Sequence, residues 1–219
     1  MARLARFVVP GIAHHVTQRG NGRQQTFFSD ADYAAYRDQL REHCQAHDVA
    51  VWSWVLMPNH VHLILVPEHV DALRAALAKV HRAYAGRVHA REQRTGHFWQ
   101  GRFGCVAMDE PHLLAALRYV ALNPVRARLA ARAQDWRWSS VHALLGRADG
   151  ITDTAPVLER VPNFAALLRS AEDAHLSEAL RRSESTGRPL GSSAFLDQVE
   201  ATLGRDPKPA KRGPRSRRN

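Results

Sequence analysis

The chain has 219 residues, 45% of them hydrophobic, with a formal net charge of +10 and a sequence pI of about 10.7. That length allows one large domain, or a medium domain with an appendage. No apolar run approaches the length of a membrane span, and Phe7-Val8-Val9 stops at Pro10-Gly11 before it could form a secretory leader, so a soluble, cytoplasmic protein is expected.

The positive charge suits a polyanionic partner, but it is unevenly spread. Residues 205–219 hold seven Lys and Arg against the single acid Asp206, so this tail carries +6 and the remainder only +4. The tail, rich in Pro, Lys and Arg, is expected to be disordered when free. Cys44 and Cys105 are far apart and outside any Cys-x-x-Cys spacing, which points to two core-filling thiols rather than a disulfide framework or a zinc knuckle.

In chain order, residues 11–20 read as a first strand that leaves through the loop Arg19-Gly20-Asn21-Gly22-Arg23, where glycines and arginines suit a phosphate backbone. A helix follows, with Ser29 or Asp30 as its N-cap and Tyr33, Tyr36, Leu40 and Cys44 as a core-facing stripe. That stripe makes Tyr33 and Tyr36 packing residues rather than nucleophiles. Residues 49–67 hold two apolar runs joined by Pro58-Asn59, a hairpin signature because Pro suits the second turn position and Asn the third. Side chains alternate along a strand, so His60 and His62 share one face while Val61, Leu63 and Leu65 point into a core.

A second helix is expected over about 70–88, with Leu73, Leu77, Val80 and Tyr84 buried. The loop over 91–103 mixes cations, glycines and aromatics, including Arg94, Phe98, Trp99 and Arg102. That mixture fits single-stranded nucleic acid, although the rings would also serve to pin a long loop to the core. A strand over 103–108 leads into a helix opened by Asp109-Glu110-Pro111 and stopped by Pro124. Leu113, Leu117 and Val120 form its core stripe; His112, Ala116, Tyr119 and Asn123 form a second face, where the alanines allow a close approach. The order is that of a ferredoxin-like βαββαβ core, α+β in class, with helices on one face of an antiparallel sheet and the other face available for binding. Trp138 and residues 141–145 suggest a short closing helix capped by a serine, 153–161 a loop, 163–182 one amphipathic helix, and 193–203 a last helix.

His60 and His62 are half of a metal site. Tyr119 and Asn123 are four apart on a helix and point the same way. Two imidazoles and an amide oxygen leave a metal with open positions for a phosphate oxygen, and the tyrosine could then attack phosphorus. His-x-His also occurs in metallo-β-lactamase-like hydrolases, which want an Asp two residues after the second His, and in histidine-triad hydrolases, which want a third His there. Ile64 stands at that position in this chain.

Taken together, Pro10-Gly11, His15-Val16-Thr17-Gln18-Arg19-Gly20-Asn21, Met57-Pro58-Asn59-His60-Val61-His62-Leu63, Phe98-Trp99-Gln100-Gly101-Arg102-Phe103, Tyr119-Val120-Ala121-Leu122-Asn123-Pro124-Val125-Arg126-Ala127 and Trp138-Ser139-Ser140 resemble the REP-associated tyrosine transposases. These are relatives of the single-tyrosine insertion-sequence transposases with a His-hydrophobe-His motif. The resemblance covers roughly the first two thirds of the chain. It implies a ferredoxin-like core, a divalent metal (Mg²⁺ or Mn²⁺) on His60, His62 and Asn123, and Tyr119 as nucleophile. It also implies cleavage of single-stranded DNA beside hairpin-forming repeats through a 5′-phosphotyrosine, with rejoining by transesterification. Arg19, Asn21, Arg23, Arg94, Trp99, Arg102 and Arg126 are the expected DNA contacts.

The expected partition is a nuclease domain over 1–148, a helical extension over 149–204 and the tail over 205–219. Lys211-Arg212-Gly213-Pro214-Arg215 resembles a minor-groove hook, with Pro where a hook has Arg, and reads more simply as a polyelectrolyte arm. Nucleoid association through DNA is implied, while monomer and homodimer stay open. The rival expectations are a binding protein that recognises repeat hairpins without cutting, and an RNA-binding protein on the same sheet.

Overall fold

A computed structural model describes residues 4–171 and 173–208; most of the basic tail, with its hook-like segment, lies outside the described residues. The elements run β1 (His14–Arg19), α1 (Asp30–Gln45), β2 (Val49–Met57), β3 (His60–Pro67), α2 (Ala72–Glu92), β4 (Gly104–Ala107) and α3 (Glu110–Ala121). The four strands form one antiparallel sheet in the order β2-β3-β1-β4. This is the ferredoxin-like α+β core, with α3 following the last core strand. Short helices α4 (Asn123–Arg126), α5 (Val141–Leu144), α6 (Ala155–Arg160) and α7 (Phe164–Arg169) follow, then α8 (Ala174–Thr186) and α9 (Ser193–Leu203).

Parity along β3 divides the sheet into two cores. Val61, Leu63 and Leu65 join the α1 stripe of Tyr33, Tyr36, Leu40 and Cys44 and the α2 residues Leu73, Leu77, Val80 and Tyr84. Ile64 and Val66 point the other way, against Leu113, Ala116, Leu117 and Val120 of α3. Each strand residue thus finds apolar cover on the side to which its pleat directs it. A bulge at Trp52, between Val51 and Ser53, switches the parity of β2. It sends Val51 and Trp54 to the first core, and Trp52, Val55 and Met57 to the second.

Contrary to the expectation from the sequence pattern, the second sheet face is not available for binding over most of its area. Both sheet faces are apolar over most of their area, and α3 with α7 and α8 covers the second one. The small Ala116, fully buried, admits the sheet rather than a ligand. Both sheet edges are occupied as well, which removes unpaired strand edges. The Leu56 N–H donates to the Trp138 carbonyl at 2.9 Å, and the Ser140 N–H donates to the Trp54 carbonyl at 2.9 Å. At the β4 edge the Leu190 N–H donates to the Ala107 carbonyl at 2.8 Å.

Other departures from the sequence expectations have local causes. Asn163 and Asp173 each cap a helix start with a side-chain oxygen, so the single helix expected over 163–182 is two. The expected loop over 153–161 holds α6, with Pro156 in its first turn and Val157 buried. The Ser140 hydroxyl does not cap α5; it meets the Ser53 hydroxyl at 2.9 Å and accepts the Trp54 N–H at 3.0 Å. Cys44 and Cys105 are free, buried thiols. Among the described residues no helix is long and apolar enough to cross a membrane.

Two buried histidines tie stability to pH. His14 donates from Nδ1 to the Ile12 carbonyl at 2.7 Å and accepts the Val9 N–H on Nε2 at 3.1 Å, an arrangement only the neutral ring can make. Burial lowers His14 to about 4, and burial with the Arg6 charge lowers His81 to about 3. An unfolded imidazole protonates near 6.5, so the unfolded state binds protons first as pH falls. The stability is complete above about pH 6.5 and is lost progressively below it. Each ring should cost on the order of 2 kcal/mol at about pH 5 relative to pH 7.5. Thermal unfolding at the two pH values checks this; an unchanged midpoint would contradict neutral burial.

Candidate active site

The antiparallel register gathers polar side chains on the second face, at the hairpin end of the sheet. His62 pairs with Thr17 of β1 and Val55 of β2, and His60 pairs with Arg19 and Met57. Paired residues share a face, so His15, Thr17 and Arg19 line up beside His60 and His62. The two rings of the His pair have centroids 4.9 Å apart. His15 stacks on His62 at 5.1 Å, with its Nε2 3.0 Å from His62 Nδ1.

Helix α3 brings the tyrosine to this group. Asp109 caps it by accepting the His112 N–H at 3.2 Å, Pro111 lies in its first turn, and its apolar stripe docks on the sheet. The Tyr119 ring then stands 5.5 Å from His62 and 6.0 Å from His15, centroid to centroid, edge-on to both. The Arg126 guanidinium lies 4.0 Å over the Tyr119 ring and also donates to the Tyr119 carbonyl. Asn123 is buried at the first position of α4, one turn beyond Tyr119 and past a break in the helix at Leu122.

His60 has a defined tautomer. Asn59 Nδ2 donates to the Arg23 carbonyl at 3.1 Å, which fixes the amide with Oδ1 toward His60 Nδ1, 2.6 Å away. An amide oxygen only accepts, so Nδ1 carries the hydrogen and the Nε2 lone pair is left free. Arg23 itself has φ 63, a left-handed conformation uncommon outside glycine, in the loop that aims this carbonyl.

The electrostatics favour neutral rings and a protonated phenol. Burial, then Arg19, lowers His60 to about 4. Burial lowers His15 to about 4, and burial with the neighbouring His15, His60, Arg19 and Arg126 holds His62 well below the usual range. Burial raises the Tyr119 phenol and Glu184 raises it further, while Arg126, Arg181 and Arg19 act to lower it. Neutral imidazoles keep lone pairs for a cation, and nearby guanidiniums favour a phenolate or a phosphate.

The donor set suits a divalent metal. His15, His62 and Glu184 offer ligand atoms within 4.8 Å of one another. His15 Nδ1 and Glu184 Oε1 are buried polar atoms without a hydrogen-bond partner among the described residues, a costly arrangement for a site that binds nothing. His62 belongs to both this group and the expected set of His60, His62 and Asn123. His15 lay within a quoted motif, but its role needed the β1–β3 register. Glu184 lies on α8, and no spacing in the sequence links it to the histidines.

The expected DNA contacts divide. Asn21, Arg23, Arg94 and Arg102 are exposed, and Arg19 is half-buried beside His60. Arg126 is exposed but holds the Tyr119 ring. Trp99 donates its indole N–H to the His81 carbonyl at 2.9 Å and packs on Tyr36, Tyr84 and Phe98, while Phe98 is buried in the first core. Both rings thus pin the long loop.

A solved structure described as "Structure of the REP associates tyrosine transposase bound to a REP hairpin" is similar over 71% of this chain and 96% of that one, at 21% identity and a TM-score of 0.58; this likeness speaks to the fold. A candidate transposase from Deinococcus radiodurans R1 is aligned over 58% of this chain and 92% of that one, at 20% identity and a TM-score of 0.36. No curated protein matches the chain. The family description "Transposase IS200 like" matches residues 8–123, a segment that runs from before β1 through the tyrosine to Asn123. The chain therefore belongs to the IS200-like transposases, a family of DNA-processing enzymes.

Proposed function

We propose that this chain is a metal-dependent, single-tyrosine endonuclease and strand transferase of the REP-associated kind, acting on single-stranded DNA at hairpin-forming repeats. The approach of Tyr119 to the His pair, 5.5 Å between the Tyr119 and His62 rings, carries the reading. The hairpin-bound relative of similar fold supports the choice of DNA partner.

In this reading Tyr119 Oη attacks a backbone phosphorus. The bond from phosphorus to the 3′ oxygen breaks as the tyrosyl–phosphorus bond forms, leaving a 5′-phosphotyrosine and a free 3′-OH. The phenol gives up one proton and the departing oxygen takes one up, so the step is proton-neutral. A later 3′-OH reverses the exchange and joins strands without an external energy source. A divalent metal, Mg²⁺ or Mn²⁺, would polarise a phosphate oxygen when bound by His60, His62 and Asn123. Asn59 holds His60 with Nε2 ready to ligate, and Arg126 orients the Tyr119 ring. Arg19, Arg23, Arg94 and Arg102 would track phosphates, with Asn21 in the same loop as Arg23.

Tyr119 stands beside the histidines of its own chain, which supports use of the tyrosine in cis by a monomer. The second reading, a protein that binds repeat hairpins without cutting, is favoured by one observation: burial and Glu184 hold the phenol above its ordinary value.

A labelled hairpin oligonucleotide with a single-stranded flank, incubated with Mn²⁺ and run on a denaturing gel, separates the two. The wild type should give a covalent adduct and a shortened product, and Tyr119→Phe should bind the same DNA and give neither. Cleavage that persists in EDTA, or an adduct with Tyr119→Phe, overturns the mechanism; a wild type that binds and never cuts favours the second reading. Mixing Tyr119→Phe with the double variant His60→Ala, His62→Ala should not restore cleavage, and restoration would show exchange of the tyrosine between chains. Arg23→Ala and Arg94→Ala should each reduce the slope of log K against log salt by about 0.7–0.9, read from titrations at several salt concentrations. An unchanged slope removes that arginine from the DNA path.

A further inference from the structure

The first 123 residues contain the segment matched to the family, yet one half-buried carboxylate at the histidines comes from beyond it. Glu184 Oε1 on α8 lies 3.9 Å from His62 Nδ1. It is buried and makes no hydrogen bond among the described residues. We propose that Glu184 is a positioning residue: its carboxylate charge beside His62 Nδ1 favours the tautomer that carries the hydrogen on that atom, donated to His15 Nε2 at 3.0 Å, and so keeps the Nε2 lone pair of His62 available to a divalent cation. The inference rests on the metal site proposed above.

His15 alone leaves the tautomer of His62 undetermined. Its Nε2 is 3.0 Å from His62 Nδ1, and either ring could donate. If His15 donates, His62 carries its hydrogen on Nε2 and cannot ligate a metal there. An ionised carboxylate has no hydrogen to give, so a carboxylate beside Nδ1 favours the hydrogen on that atom. A cation drawing on Nε2 also makes the Nδ1 hydrogen a better donor, which strengthens the contact. The result matches His60, whose Nδ1 faces the Asn59 amide oxygen at 2.6 Å. Both rings would then present Nε2, one fixed by an amide and the other by a carboxylate.

The backbone around Glu184 is built to deliver it. Gly187 closes α8 in the left-handed conformation, φ 65, and donates to the Ser183 carbonyl at 2.8 Å. Three residues later Leu190 joins the β4 edge. Gly104 of β4 faces this end of the helix; a Cβ there would come within 2.6 Å of the Thr17 hydroxyl and 3.7 Å of the Glu184 carbonyl oxygen. The glycine thus leaves room for the Thr17 hydroxyl, while the Glu184 carbonyl lies at ordinary van der Waals distance from this point of β4.

The test is Mn²⁺ binding to the full chain without DNA, followed by the electron paramagnetic resonance signal of free Mn²⁺. Glu184→Ala should weaken binding by about 10- to 100-fold. Glu184→Leu serves if the alanine variant does not fold. Glu184→Gln, which removes the charge and brings an amide that can itself donate to Nδ1, should weaken binding in the same way. The double variant His60→Ala, His62→Ala is the control. If it loses Mn²⁺ while Glu184→Ala or Glu184→Leu binds like the wild type, the positioning role is overturned and the metal site stands. A glutamine variant that binds like the wild type also overturns it, because the carboxylate charge would then not be the operative feature. If the double variant binds like the wild type, the metal site fails.

Discussion

The antiparallel register between β1 and β3 is the constraint on which the rest of the structure depends. It sets Thr17 opposite His62 and Arg19 opposite His60, and it sends Val61, Leu63 and Leu65 to the first core. A slip of one residue would exchange these faces, burying two imidazoles among the aromatic rings of α1 and α2 and leaving leucines at the site. The apolar residues thus hold the polar ones in place, since the energy of burying one set fixes where the other must project. The bulge in β2 serves the same end, by keeping Val55 and Met57 on the face that α3 covers.

Placing polar groups on a covered sheet face carries a cost, and the site shows where it falls. His62 is 2% exposed and His15 1% exposed, and both are held neutral by burial. His60 is supported by a chain of contacts that runs from the strained backbone of Arg23 through Asn59. His15 Nδ1 and Glu184 Oε1 stay without partners. Such unsatisfied atoms are tolerated where function requires them, and these two lie beside His62.

The segments after the family-matched region are integrated with the sheet. Trp138, Ser139 and Ser140 close the β2 edge, Leu190 closes the β4 edge, and α8 packs against both α3 and β4. Helix α9 joins Phe7, Val9 and Ala107 in a small third core, so the start and end of the described chain are packed together. The β4 edge, which would otherwise attract another chain, thereby helps to fix the helix that carries Glu184.

Much of this was legible in the sequence because it is written in local periodicity. The hairpin at Pro58-Asn59, the shared face of His60 and His62, the stripes of α1 and α2 and the capped start of α3 each follow from spacing and turn chemistry within a few residues. The order of these elements gave the ferredoxin-like core, and the quoted motifs gave the family. Local pattern could not show that α3 covers the second face, because Ala116 reads equally as room for a ligand or as room for a sheet. It could not foresee the breaks at Asn163 and Asp173, where a cap competes with a continuous apolar stripe. Least visible were His15 and Glu184. The meeting of β1, β3 and α8 that joins them to His62 spans the chain from residue 15 to residue 184, and contacts of that range are decided by packing alone.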